Sequence, residues 1–146
     1  MTIAVTRTIT VKARPARVFE AITTSKGLAG FWTKDSVATP EIGSVARFGF
    51  GSATKLEIRV AELEPERKVL WSSLAGSPMP PPWEGTVLTW EIRPLPSGDT
   101  EVSFTHDGWP ADVRQADLAA TETTWTLVLE RLKSFVETGV PAPLVA

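Results

Sequence analysis

Two hydrophobic periodicities share this chain. Up to His106 apolar residues recur mostly at every second position; beyond it they recur at helical spacing. Leu118, Trp125, Leu129, Leu132 and Val136 follow one another at intervals of seven, four, three and four. At about 100° per residue, all five fall within about 40° of one direction, a single apolar stripe. From Ala111 to Thr138 there is no Gly or Pro, and Gly139 and Pro141 then supply the expected stop. The pattern predicts a long amphipathic helix closing the chain. Glu122 falls inside the stripe, and a carboxylate on a core-facing helix surface points to a cavity.

Ahead of that helix the alternation predicts strands. Ile3, Val5, Ile9 and Val11, with Thr at 2, 6, 8 and 10, mark the first. Pro15 suits a first helical position, and Val18, Phe19 and Ile22 give a short helical face. Ser25 is a cap for a second short helix running to Phe31 and Trp32, held to a turn or two by Gly27 and Gly30. From Ser36 to His106 the periodicity is that of strands and turns. Ala46, Phe48 and Phe50 share a face, as do Leu56, Ile58 and Val60, with Leu63 displaced by an irregularity. Residues 64–67 form a turn and Val69 to Trp71 a short strand. Leu88, Trp90 and Ile92 alternate, 94–98 turns, and Val102, Phe104 and His106 share the inner face of the last strand. About seven strands with hairpin-length turns read as an antiparallel meander in an α+β domain spanning 1–146, without repeat or linker. The Pro-rich stretch Ser77 to Trp83 reads as a stiff polyproline II connection, a partner-binding motif or a rim beside a cavity mouth.

Composition narrows the function classes. The 146 residues carry a net charge of −2, with Arg14, Arg17 and Lys26 the nearest approach to a basic patch, so nucleic-acid binding has no electrostatic footprint. There is no Cys and one His, which removes disulfides, thiol chemistry and thiolate or imidazole-rich metal sites. No cofactor is implied. The first seven residues lack the apolar core of a signal peptide, and no run reaches the ~18 apolar residues of a membrane span. A cytoplasmic location is expected.

Five local patterns, in order, carry a resemblance: Val18-Phe19-x-Ala21-Ile22-Thr23 with Phe31-Trp32; Gly43-x-Val45-x-x-Phe48; Val60-x-Glu62-Leu63-x-Pro65-x-x-x-Val69; Gly98-x-Thr100-x-Val102 with Thr105-His106-x-Gly108; and Glu122-x-x-Trp125-x-x-x-Leu129-x-x-Leu132 ending at Gly139. Together they resemble the helix-grip START/birch-allergen superfamily (SRPBCC), in the branch named for the activator of heat-shock-protein-90 ATPase. The resemblance implies a bent antiparallel sheet gripping the C-terminal helix, with two short helices after the first strand. The superfamily mostly binds small apolar ligands between sheet and helix. The branch name adds a chaperone partner and a stress-response setting, although many members have no chaperone role. Two positions depart from the pattern: Thr124 stands where Gly is usual, and Thr121 where a His often precedes the Glu.

Six Trp and six Phe with no Tyr make an apolar aromatic set. On the binding reading, a cavity is lined by Trp32, Phe48, Phe50, Leu56, Ile58, Trp71, Leu88, Trp90, Phe104, His106, Glu122 and Trp125; on the plainer one, these residues simply pack. His106 is either a general base facing Glu122 or a structural histidine where its strand ends. Glu91 faces outward. Ser72, Ser73 and Ser103 have no triad partners, and Gly49-Phe50-Gly51 is a strand end rather than a phosphate loop. Three functions follow: binding a small hydrophobic ligand (a lipid or an aromatic, polyketide-like molecule); polyketide cyclase or dehydratase chemistry by His106 and Glu122; and a chaperone-associated interaction module. A monomer or weak homodimer is expected.

Overall fold

The computed structural model describes residues 4–51, 55–74 and 83–145. Ile3 and the 77–82 part of the Pro-rich stretch lie outside them. The elements run β1 (Val5–Val11), α1 (Pro15–Thr23), α2 (Ser25–Phe31), β2 (Ser36–Val37), β3 (Val45–Gly49), β4 (Lys55–Glu64), β5 (Lys68–Ser73), β6 (Val87–Pro94), β7 (Thr100–Asp107) and α3 (Gln115–Thr138). The seven strands form one antiparallel sheet in the order β1-β7-β6-β5-β4-β3-β2. This is the helix-grip architecture, with the two short helices after the first strand.

Strict alternation builds the inner face. In β7, Thr100, Val102, Phe104 and His106 are buried while the residues between them are partly exposed. In β4 the register slips between Val60 and Glu62. Such a bulge bends a strand and increases its twist, which helps the sheet wrap around a helix. Pro15 opens α1, as expected. The α2 cap is Thr24 rather than Ser25: its Oγ1 accepts from Gly27 N at 3.1 Å. Ser25 instead bonds the backbone of Ala38, donating to its carbonyl and accepting from its N–H.

The two α2 glycines are packing residues. A Cβ on Gly27 would sit 2.4 Å from the Ala21 carbonyl oxygen, and one on Gly30 2.6 Å from the Phe135 ring. At the far end, Gly139 closes α3 in the left-handed region (φ 77°). The chain then folds back on α2. Ala142 N donates to Gly30 O (2.9 Å), Leu144 N to Phe31 O (3.2 Å) and Val145 N to Trp32 O (2.9 Å). These bonds occupy carbonyls that a helix terminus otherwise leaves unpaired.

Among the described residues, no helix is long and apolar enough to cross a membrane.

Candidate functional site

Trp125 stands at the centre of the space between α3 and the sheet. Its ring centroid lies 4.1 Å from Phe104, 5.2 Å from Trp32, 5.5 Å from Trp83 and 6.2 Å from Trp90. Beyond this ring of neighbours, Trp32 lies 4.5 Å from Phe48 and 5.6 Å from Phe50, and Trp71 lies 5.5 Å from Trp90. Of the expected lining residues, Trp32, Phe48, Leu56, Ile58, Trp71, Leu88, Trp90, Phe104, His106 and Trp125 are buried, and Phe50 is partly so. They converge, but on one another. The recess against the core between α1, β3 and β4 amounts to about 10 Å³, at most a single water.

His106 is fully buried, with both ring nitrogens engaged. Trp125 Nε1 lies 3.1 Å from Nδ1, and Thr86 Oγ1 lies 2.8 Å from Nε2. An indole N–H can only donate, so Nδ1 must accept, and the ring proton sits on Nε2. Nε2–H then donates to Thr86 Oγ1, whose own proton goes to Trp83 O at 2.5 Å. This chain of donors runs from α3 through β7 to the segment ahead of β6. Burial pushes the imidazole pKa down to about 3, the direction desolvation imposes on a group that charges on protonation. A proton on Nδ1 would also face the Trp125 N–H donor to donor. Trp109, turned back by Gly108 (φ 80°), bonds His106 O at 2.9 Å and covers the ring at 4.3 Å. No lone pair of His106 is left to take a proton from a substrate.

Glu122 departs from its expected place on the buried stripe. It is exposed, and its carboxylate faces Arg7 of β1 at 3.6 Å. The reason lies in two residues left out of the stripe. Thr121 and Val128 are fully buried, and at about 100° per residue they rotate the centre of the apolar face away from Glu122. Arg7 shares the inner face of an edge strand and reaches across to α3, also donating to Thr126 Oγ1 at 3.0 Å. The pairing of His106 with Glu122 is therefore not assembled.

Trp83, Thr86, Trp109 and Thr121 complete the site and were absent from the expected set. Trp83 stacks on Trp125 at 17° and meets the His106 ring edge-on at 4.8 Å. Its Nε1 reaches Thr121 Oγ1 at 3.4 Å. Thr121 occupies the position where the resemblance leads one to expect His. Two polar atoms in this interior, Trp90 Nε1 and Ser73 Oγ, have no hydrogen-bond partner among the described residues. Nor do those residues hold a cluster of His, Cys, Asp or Glu suited to a metal ion.

The family model for the activator of Hsp90 ATPase homolog 1-like protein matches residues 12–137. The chain belongs to that family. Among solved structures, the solution structure of the Aha1 dimer from Colwellia psychrerythraea is similar at 29% identity and TM-score 0.81, over 94% of this chain and 98% of that one. Protein MLL2253 from Mesorhizobium loti shares the fold at 19% identity and TM-score 0.77, covering 90% of this chain and 95% of its own. DynU16, a putative protein in the dynemicin biosynthetic locus, does so at 23% identity and TM-score 0.75, over 94% of this chain and 48% of that one. A search of curated proteins gave no match.

Proposed function

We propose that this family member is a binding module that works through its outer surface, as a chaperone-associated partner, rather than a catalyst with an interior active site. One observation carries the reading: the space between α3 and the sheet is occupied by the protein's own rings, with both nitrogens of its single histidine committed inside it. An acid–base pair of His106 and Glu122 has no support in this geometry, since one residue is enclosed and the other pairs with Arg7 on the outside. The family's name points to an Hsp90-class ATPase as the partner. Adding the purified protein to such an ATPase should raise the rate of ATP hydrolysis with saturable dependence. No change in rate, together with no complex by sedimentation, ends the reading. The same sedimentation run on the protein alone separates monomer from weak homodimer.

A second reading, binding of a small aromatic molecule between sheet and helix, rests on Trp83. This ring comes from a connection rather than a strand, and its indole makes one long hydrogen bond. A planar ligand that displaced it would meet Trp125, His106 and Thr121, and buried Trp90 Nε1 and Ser73 Oγ have no partner among the described residues. Trp83→Ala should then bind indole or naphthalene-sized ligands more tightly than the unaltered protein, seen as a larger ligand-dependent rise in Tm. Equal shifts, or none, remove it.

A further inference from the structure

One surface recess lies away from the aromatic interior. It is an open groove of about 680 Å³ bounded by α1, α2, the end of α3 and the returning C-terminal segment. The size falls in the range of small-molecule sites. Its floor is apolar: Ala21, Ala29, Phe135, Val136, Pro141 and Pro143 line it. Small residues make the concavity. Gly27 and Gly30 bring α2 against α1 and α3 with no side chain to fill the space above, and the backbone bonds of Ala142, Leu144 and Val145 hold the prolines in place as a wall.

The rim is cationic. Arg17, Lys26 and Lys34 stand around the groove against one acid, Glu20, in a protein whose net charge is −2. Arg17 Nε is fixed by Val136 O at 2.6 Å, which holds the guanidinium over the groove, and its remaining N–H groups have no partner among the described residues. The exposed Lys26 and Lys34 ammonium groups have no hydrogen-bond or ion-pair partner among the described residues. An apolar trough under three cations and a single acid complements a molecule with an apolar body and an anionic head.

We propose that this groove binds a small amphipathic carboxylate, its chain on the Ala29–Phe135–Pro141 floor and its head among Arg17, Lys26 and Lys34. The site is independent of the surface function above and of the interior.

The test is a two-dimensional amide NMR titration of the full-length protein with sodium decanoate below its micelle concentration, alongside neutral decanamide. Decanoate should shift the Gly27, Ala29, Gly30 and Gly139 amides saturably, and more tightly than decanamide. Lys26→Glu combined with Lys34→Glu should weaken decanoate about tenfold while leaving decanamide unchanged. Lys26→Gln with Lys34→Gln serves if the double reversal does not fold. Ala29→Trp, which fills the trough, should abolish both titrations. The proposal fails if the shifts instead centre on Trp125 and Leu88, if both probes bind equally, or if reversing the lysines leaves decanoate affinity unchanged. It fails equally if only anionic phospholipid vesicles bind, or if the groove resonances respond to an Hsp90-class partner and not to decanoate.

Discussion

The interior around Trp125 and the contact of α2 with α1 and the end of α3 are built by opposite means. In the first, large rings meet at centroid distances of 4.1–6.2 Å and fill the space with their own atoms. In the second, glycines let the chain approach until a single added carbon would collide with the Ala21 backbone or the Phe135 ring. Filling gives stability and uses up the volume; close approach without side chains leaves a hollow beside it. A protein of this fold can thus have a packed centre and an open flank, so the place to look for binding is set by where small residues cluster rather than where aromatics do. The interior should suffer from truncation and the flank from enlargement.

Trp125→Ala is the severest test of that contrast. Emptying a buried aromatic site costs about 3–5 kcal/mol, and an unpaired His106 Nδ1 adds to it. Trp125→Phe retains most of the ring and loses the N–H, so it should cost about 1–3 kcal/mol. Denaturant melts in which the two variants match would show that the hydrogen bond, not the packing, dominates.

Acid should weaken the interior selectively. His106 is held neutral with a pKa of about 3, whereas the unfolded chain protonates it at its ordinary value of 6.5. Between these values the unfolded state binds the extra proton, so stability present above pH 6.5 is lost as pH falls toward 3. At about 1.36 kcal/mol per unit, roughly 2 kcal/mol should go by pH 5. The loss should shrink in His106→Asn. Melting curves at pH 7 and 5 for both proteins decide this; parallel losses would place the titration elsewhere.

On the flank the sign reverses. Gly27→Ala gains about 1 kcal/mol of helix propensity, yet its Cβ meets the Ala21 backbone, which cannot swing aside. Overpacking of about 1–3 kcal/mol should prevail, leaving a net loss. Gly30→Ala meets the tip of the partly exposed Phe135 ring, which can turn outward, so its cost should be smaller. A stabilised Gly27→Ala would break the comparison. The mildest case is Glu122→Ala, which removes an ion pair with half-exposed partners and should stay within about 0.5 kcal/mol.

Strand and turn assignments were legible because a sheet buried on one face repeats every second residue. Val102-Phe104-His106 and Leu56-Ile58-Val60 could be read directly, and so could the irregularity before Leu63. The α3 stripe was legible in extent but not in phase. Threonine counts as polar in a periodicity, so buried Thr121 was passed over, and without Thr121 and Val128 the centre drifted toward Glu122. The His106 environment was beyond a sequence reading for another reason. Its partners Thr86, Trp109 and Trp125 come from three places in the chain, and only the assembled sheet brings them together. A Trp directly after the positive-φ Gly108 was the signal available there. The return of 142–145 onto α2 left no mark in the sequence, because its bonds are backbone to backbone.

The pairing of β1 with β7 has a consequence for biosynthesis. Thr8 faces Ser103 across 95 residues of chain, so the first strand of this sheet to leave a ribosome is among the last to find its neighbour. At about 5–20 residues per second, β1 waits roughly 5–20 s before β7 has even been made. The helix that covers β1 arrives later still. During that interval the strand offers an open backbone edge to other nascent chains. Thr6, Thr8 and Thr10, exposed on its outer face in the finished sheet, keep one side of that edge wettable while it waits.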